Sequence, residues 1–139
     1  MSDILISIHG RHVAKILDGS KTFELRRRFH TKHEYTNTRL WIYETSPKCA
    51  VVATACIDRV AVCNPEYIWK KLGKDVGVTH EEFAAYFGDR ESAYAIKLAQ
   101  VEKLTTPITL AEMRAAGIQP PQSYRTVPAE IAAAWEARR

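Results

Sequence analysis

The sequence predicts an α+β fold, and three observations carry that reading. Runs of β-branched and aromatic residues with period-two alternation interleave with short segments that open on helix-capping residues. The order begins strand, helix, strand, strand, which lacks the regular alternation of a doubly wound parallel sheet. The 139 residues are 46% hydrophobic and 26% charged, a composition that suits one globular domain, 1–139, with a core large enough to need no staples.

The elements follow in order. Ile4–His9 reads as a strand and Arg11–Asp18 as a short helix, closed by Gly19 at its C-terminal cap. Thr22–Arg28 and Arg39–Tyr43 are strands, with the polar stretch His30–Thr38 between them as a loop. Val51–Val62 is a long β-rich run of valine, alanine, threonine and isoleucine. Asn64-Pro65 supplies an N-cap and a first-turn proline for a helix over Glu66–Leu72. Thr79-His80-Glu81-Glu82 is a capping box opening a helix to Phe87, and Thr109-Leu110-Ala111-Glu112 is another, opening Ala111–Ala116. Between them the Tyr94-Ile96-Leu98 alternation marks a strand over Ala93–Leu104. Pro120–Arg125 reads as a stiff loop, and Ala129–Arg138 as a terminal helix whose arginines suit its dipole.

Charge is concentrated in one place. The chain carries a net +4, yet residues 11–32 hold seven Lys and Arg against Asp18 and Glu24, a local +5. Such a patch attracts polyanions far better than the same charge spread evenly. Within it, Phe23 and Leu25 point to one side of a strand while Glu24, Arg26 and Arg28 point to the other. A lysine, a glutamate and arginines this close suggest a site for an anionic, hydrogen-bonding ligand such as a nucleotide or RNA. An edge strand showing its charges to water is the plainer reading.

Gly19-x-Lys21-x-x-Glu24-x-Arg26 resembles the signature of the ASCH family within the PUA-like superfamily. Ile6-Ser7-Ile8 with the helical run Val13–Leu17, the strand Leu40–Tyr43, and the segments Tyr94–Leu98, Pro107–Leu110 and Pro120–Arg125 extend the resemblance over most of the chain. The resemblance implies a small, mostly antiparallel β-barrel with short helices packed around it. It also implies that Ser123, Tyr124 and Arg125 line a cleft opposite the lysine strand.

Lys21 is the leading candidate for chemistry. It is either a charged ligand paired to Glu24 or an amine tuned by burial and neighbouring arginines to act as base or nucleophile. Glu24 accepts from base amino groups, and Arg26 and Arg28 suit phosphate or guanine edges. Trp41 and Tyr43 share a strand face and supply either core or a stacking surface for bases. The main functional reading is RNA or nucleotide binding through Lys21, Glu24, Arg26, Arg28, Trp41, Tyr43 and the Ser123–Arg125 loop. The alternative is a small hydrolase in the same cleft with Lys21, Glu24 and Tyr43 catalytic. Some relatives in the resembled family are ribonucleases or act on acetylated cytidine. In the latter type a lysine, a threonine and a glutamate do the work, and here Glu24 stands where the threonine is expected. A third reading has the basic face bind an acidic protein partner.

Other signals are weaker. Cys49, Cys56 and Cys63 match no usual disulfide or zinc spacing and read as buried free thiols. Gly19-Ser20-Lys21-Thr22 lacks the glycines of a phosphate-binding loop. His9-x-x-His12 and His30-x-x-His33 lack the i, i+4 spacing of zinc enzymes, so no metal or cofactor is expected. No apolar run approaches a membrane span and no signal peptide is evident, which makes the cytoplasm the expected compartment.

Overall fold

A computed structural model describes residues 2–29 and 37–139. Eleven elements run in the order β1 (Ile4–Ile8), α1 (Gly10–Asp18), β2 (Phe23–Arg26), β3 (Thr38–Glu44), β4 (Ala50–Cys63), α2 (Pro65–Leu72), α3 (His80–Phe87), β5 (Ala93–Thr109), α4 (Leu110–Ala115), β6 (Tyr124–Thr126) and α5 (Ala129–Ala137). The six strands form one curled, half-barrel sheet in the order β2-β5-β4-β3-β1-β6. Only the β1–β3 pair is parallel among the described strands.

Two long strands make the curl. β4 and β5 run 14 and 17 residues, and their pairing slips at three places between Val51 and Arg59. Each slip is a bulge or irregularity that bends the strand and adds twist, which lets so long a ribbon wrap. The β-rich run from Val51 was legible, but β5 continues past Leu104 to Thr109, directly into the capping box of α4.

The helices begin where their caps dictate. The Asn64 side chain accepts from Tyr67 N, and both Thr79–Glu82 and Thr109–Glu112 form reciprocal capping boxes. Gly19 ends α1 in the left-handed region at φ 86°, where a side chain would strain the turn.

Both faces of the sheet are covered. On one, Ile6, Ile42, Val52 and Ile96 pack with Val13 and Ile16 of α1. On the other, Leu5, Trp41, Tyr43 and Ile108 pack under Met113 of α4 and Trp135 of α5. A third cluster sets Phe23 and Leu25 of β2 against Ile68 of α2 and Phe83 and Phe87 of α3.

Three expectations need correcting. β2 ends at Arg26, so Arg28 lies beyond the strand, exposed and outside the Glu24–Arg26 row. The segment read as a stiff loop yields a strand, because Tyr124–Thr126 pairs antiparallel with Ile4–Ile6. The loop read at His30–Thr38 falls largely outside the described residues, as do His30 and His33; its last residue, Thr38, begins β3.

Candidate functional site

The site is built where α1 hands over to β2. After Gly19 the chain doubles back, with Lys21 N bonded to Lys15 O at 3.1 Å and Thr22 N and Phe23 N both bonded to Asp75 O. This turn drives the Lys21 side chain inward, where the residue is 3% exposed. Its Nζ donates to Val76 O at 2.5 Å and lies 3.5 Å from Glu24 Oε1. Gly77, at φ 70°, lets the α2–α3 loop pass this close: a Cβ there would stand 3.0 Å from Lys21 Cβ. Lys15 Nζ holds the same loop from outside, donating to Gly77 O at 2.7 Å.

Glu24 links this lysine to an arginine. Its Oε2 accepts from Arg26 Nη2 at 2.7 Å and from Arg26 Nε at 3.1 Å. Arg26 also donates to Ser7 O at 2.8 Å and to Ser123 Oγ at 3.2 Å. Ser7 in turn bonds Pro121 O through its hydroxyl and Ser123 O through its amide. One guanidinium therefore spans from the edge strand β2 to β1 and the approach to β6, the opposite end of the sheet order.

Above this network lies a cavity of about 580 Å³, within the range of small-molecule sites. Lys21, Glu24 and Arg26 form its buried end, His12 and Arg11 enter from α1, and Phe83 and Tyr86 enter from α3. Arg11 reaches across to Glu82 at 2.7 Å, tying α1 to α3. Arg27, beyond β2, donates to Tyr86 O at 2.8 Å and lies 4.3 Å from that ring's centre.

The electrostatics follow from burial. Desolvation pulls the Lys21 amine below its usual range; Glu24 opposes this, while Arg26 and Lys15 add to it. His12 is held down to about 4, first by burial and then by Lys21, with Arg11 and Lys15 adding and Glu24 opposing. Its imidazole is therefore neutral at pH 7. The Nδ1 atom is buried and has no hydrogen-bond partner among the described residues.

The structure brings together four of the residues named from sequence: Lys21, Glu24, Arg26 and Ser123. It takes the others elsewhere. Trp41 and Tyr43 do share a strand face, but it is the face under α4 and α5. Trp41 is fully buried, edge-on to Trp135 at 5.4 Å, with its Nε1 donating to Asp3 Oδ2 at 2.8 Å. Burial raises the Tyr43 hydroxyl above its usual range, with Cys49 beside it adding to the effect. Neither aromatic lines the cavity. Tyr124 packs on Phe29, their ring centres 4.6 Å apart, and exposed Arg125 donates to Thr126 O. Sequence reasoning counted Arg11 only within the basic patch, considered His12 only as a metal ligand, and gave Glu82 and Tyr86 no site role. The α1 residues had a signal: His12 and Arg11 flank the apolar Val13/Ile16 stripe one turn from Lys15. The α3 residues had none, because only folding carries that helix over the cavity.

Similarity to named relatives, together with the curled α+β sheet, supports the class of ASCH domains for this chain. The chain belongs to the family described as Domain of unknown function (DUF365), whose profile matches residues 3–118. It is 28% identical over 123 residues to a protein from Zymomonas mobilis named ASCH domain-containing ribonuclease, across 87% of this chain and 81% of that one. The crystal structure of ASCH from Zymomonas mobilis superposes with a TM-score of 0.89 at 26% identity, covering 98% of this chain and 94% of that one. The N-terminal domain of Staphylothermus marinus McrB, 12% identical over 73% of this chain and 70% of that one with a TM-score of 0.51, shares the fold alone. Among the described residues no group of three or more metal-ligating side chains converges, and no helix is long and apolar enough to cross a membrane.

Proposed function

We propose that one domain spanning residues 1–139 binds RNA or a nucleotide in this cavity, using Lys21, Glu24 and Arg26 at its buried end and Ser123 to hold Arg26. The observation that carries the reading is the burial itself. Lys21 and Glu24 are 3% and 6% exposed, and three charged groups taken out of water cost more than an apolar plug of the same shape. A row like this beside a 580 Å³ hollow is what ligand recognition requires and packing does not. Exposed Arg28, two residues beyond Arg26, adds positive charge for a polyanion's backbone, and Arg11, paired with Glu82, lines the cavity mouth where a phosphate can compete for it. Three unpaired cysteines suit a reducing compartment such as the cytoplasm.

Fluorescence anisotropy with a labelled single-stranded RNA tests this. Affinity is expected to fall as salt rises, with a slope of about 0.7 per phosphate neutralised. Arg11→Ala and Arg28→Ala, both at exposed positions, should each weaken binding and lower the slope by about 1 or less. Affinity that ignores both salt and these substitutions would sink the proposal.

A second reading is RNA cleavage at the same place, favoured by the name of the Zymomonas relative. Crystal structures of ASCH from Zymomonas mobilis include a tyrosine-to-phenylalanine and a serine-to-alanine variant. In this chain Ser123 is the hydroxyl tied to the charged row. A lysine with a lowered pKa has a larger neutral fraction to take a proton from a ribose hydroxyl. Labelled RNA should then be cut by the unaltered protein and left whole by Lys21→Met. Cleavage that survives Lys21→Met would reject Lys21 as the base. Glu24 in the place of the expected threonine weighs against acetylcytidine hydrolysis.

A further inference from the structure

We propose that the cavity admits the uncharged base of a nucleotide and leaves its phosphate outside, and that His12 contacts that base. The inference rests on the nucleotide-binding reading and narrows it to one moiety.

The cations at the buried end are already committed. Four of the five N–H groups of Arg26 go to Glu24 twice, Ser7 O and Ser123 Oγ. Lys21 gives one N–H to Val76 O and lies against Glu24. A phosphate entering here would meet the Glu24 carboxylate and find a guanidinium with one donor left. A base meets a better match. Glu24 Oε1 has only the 3.5 Å approach of Lys21 among the described residues, so it is open to an N–H or amino group. Lys21 keeps an N–H for a carbonyl. Apolar Ile8, Leu25, Val78 and Phe83 supply flanks for a planar ring.

His12 completes the argument. The residue lines the cavity from α1, and no partner among the described residues fixes its buried Nδ1. The groups around the ring work against its protonation: Lys21, Arg11 and Lys15 oppose a positive imidazole and Glu24 alone favours it. From α3, Glu82 faces the same cavity but is engaged by Arg11. A ring kept neutral offers one N–H and one lone pair, which suits a base edge and is poorly matched to a dianion.

The test is a competition at pH 7 and constant ionic strength. Labelled single-stranded RNA is bound to the unaltered protein and challenged with uridine, cytidine or inorganic phosphate, and nucleoside binding is also measured directly by calorimetry. The nucleosides are expected to displace RNA and phosphate is not. His12→Leu should weaken nucleoside binding about tenfold or more, and His12→Asn, which keeps a donor and an acceptor, should recover most of it. Circular dichroism establishes that both variants fold. Displacement by phosphate with none by nucleoside would overturn the inference. So would nucleoside affinity equal in His12→Leu and the unaltered protein. The two readings fail separately. RNA that never binds removes the proposed function, while calorimetric nucleoside binding lost in His12→Leu still upholds the base subsite.

Discussion

The two sides of this molecule bury a carboxylate in very different ways. Under α4 and α5, half-buried Asp3 accepts one bond from Trp41, whose ring packs in an apolar cluster with the Arg39 guanidinium 5.8 Å from its centre. Beside the cavity, Glu24 is nearly inaccessible and serves two cations, one of which spans to the far end of the sheet. The first arrangement is what a core does with an indole N–H that needs a partner. The second sets three charges in a place where hydrophobic residues would hold the fold at least as well. The difference separates the half of the sheet that only stabilises from the half for which we propose a ligand.

Substitutions can break that contrast, and the largest effect belongs to Glu24. Glu24→Ala leaves Lys21 and Arg26 as buried, unpaired cations, which should cost about 3–5 kcal/mol in urea unfolding and remove ligand binding with it. Asp3→Ala should cost about 1–3 kcal/mol, because the Trp41 N–H loses its partner, while ligand affinity stays unchanged. Equal losses of binding from the two changes would erase the distinction between the faces.

Smaller effects sharpen it. Gly77→Ala must place a side chain at φ 70° against Lys21, at a cost of about 1–2 kcal/mol. Because the strain falls on Lys21, ligand affinity should fall further than in a control of equal stability. Thr79→Ala removes one half of the α3 capping box and should cost about 1 kcal/mol by the same measurement. Least of all is the titration of His12. Its folded value of about 4 lies below the ordinary 6.5, so the unfolded chain takes up the proton first. The stability this ring contributes is whole above about pH 6.5 and is lost as pH falls through about 4. Solvent access to the half-exposed ring limits the size of the effect, and His12→Asn should flatten unfolding curves across that interval.

Much of the fold could be read from the chain because its signals are local. The Asn64-Pro65 start, the two Thr-x-x-Glu boxes and Gly19 are contained within a few residues and set helix ends whatever lies around them. The Glu24–Arg26 row was legible for the same reason, since alternation along a strand needs no partner. Arg28 misled because alternation was carried past the strand's end at Arg26, which the chain does not mark. Trp41 and Tyr43 were rightly put on one face, but which face meets the cavity is decided by the helices that cover the other. Phe83, Tyr86 and Val76 were invisible as site residues: they lie 50 or more positions from Lys21 and reach it only through the α2–α3 excursion.

Arg26 has a consequence for how any variant of this protein is to be interpreted. Its guanidinium is a rivet between the two free margins of the sheet as well as a wall of the hollow. A lysine in its place would keep the charge but bring one nitrogen where three are in use. Pulling on the ligand and prying at the seam are therefore the same mechanical act. Amide deuteration of β6 is expected to register occupancy of the hollow, although no residue of that strand lines it.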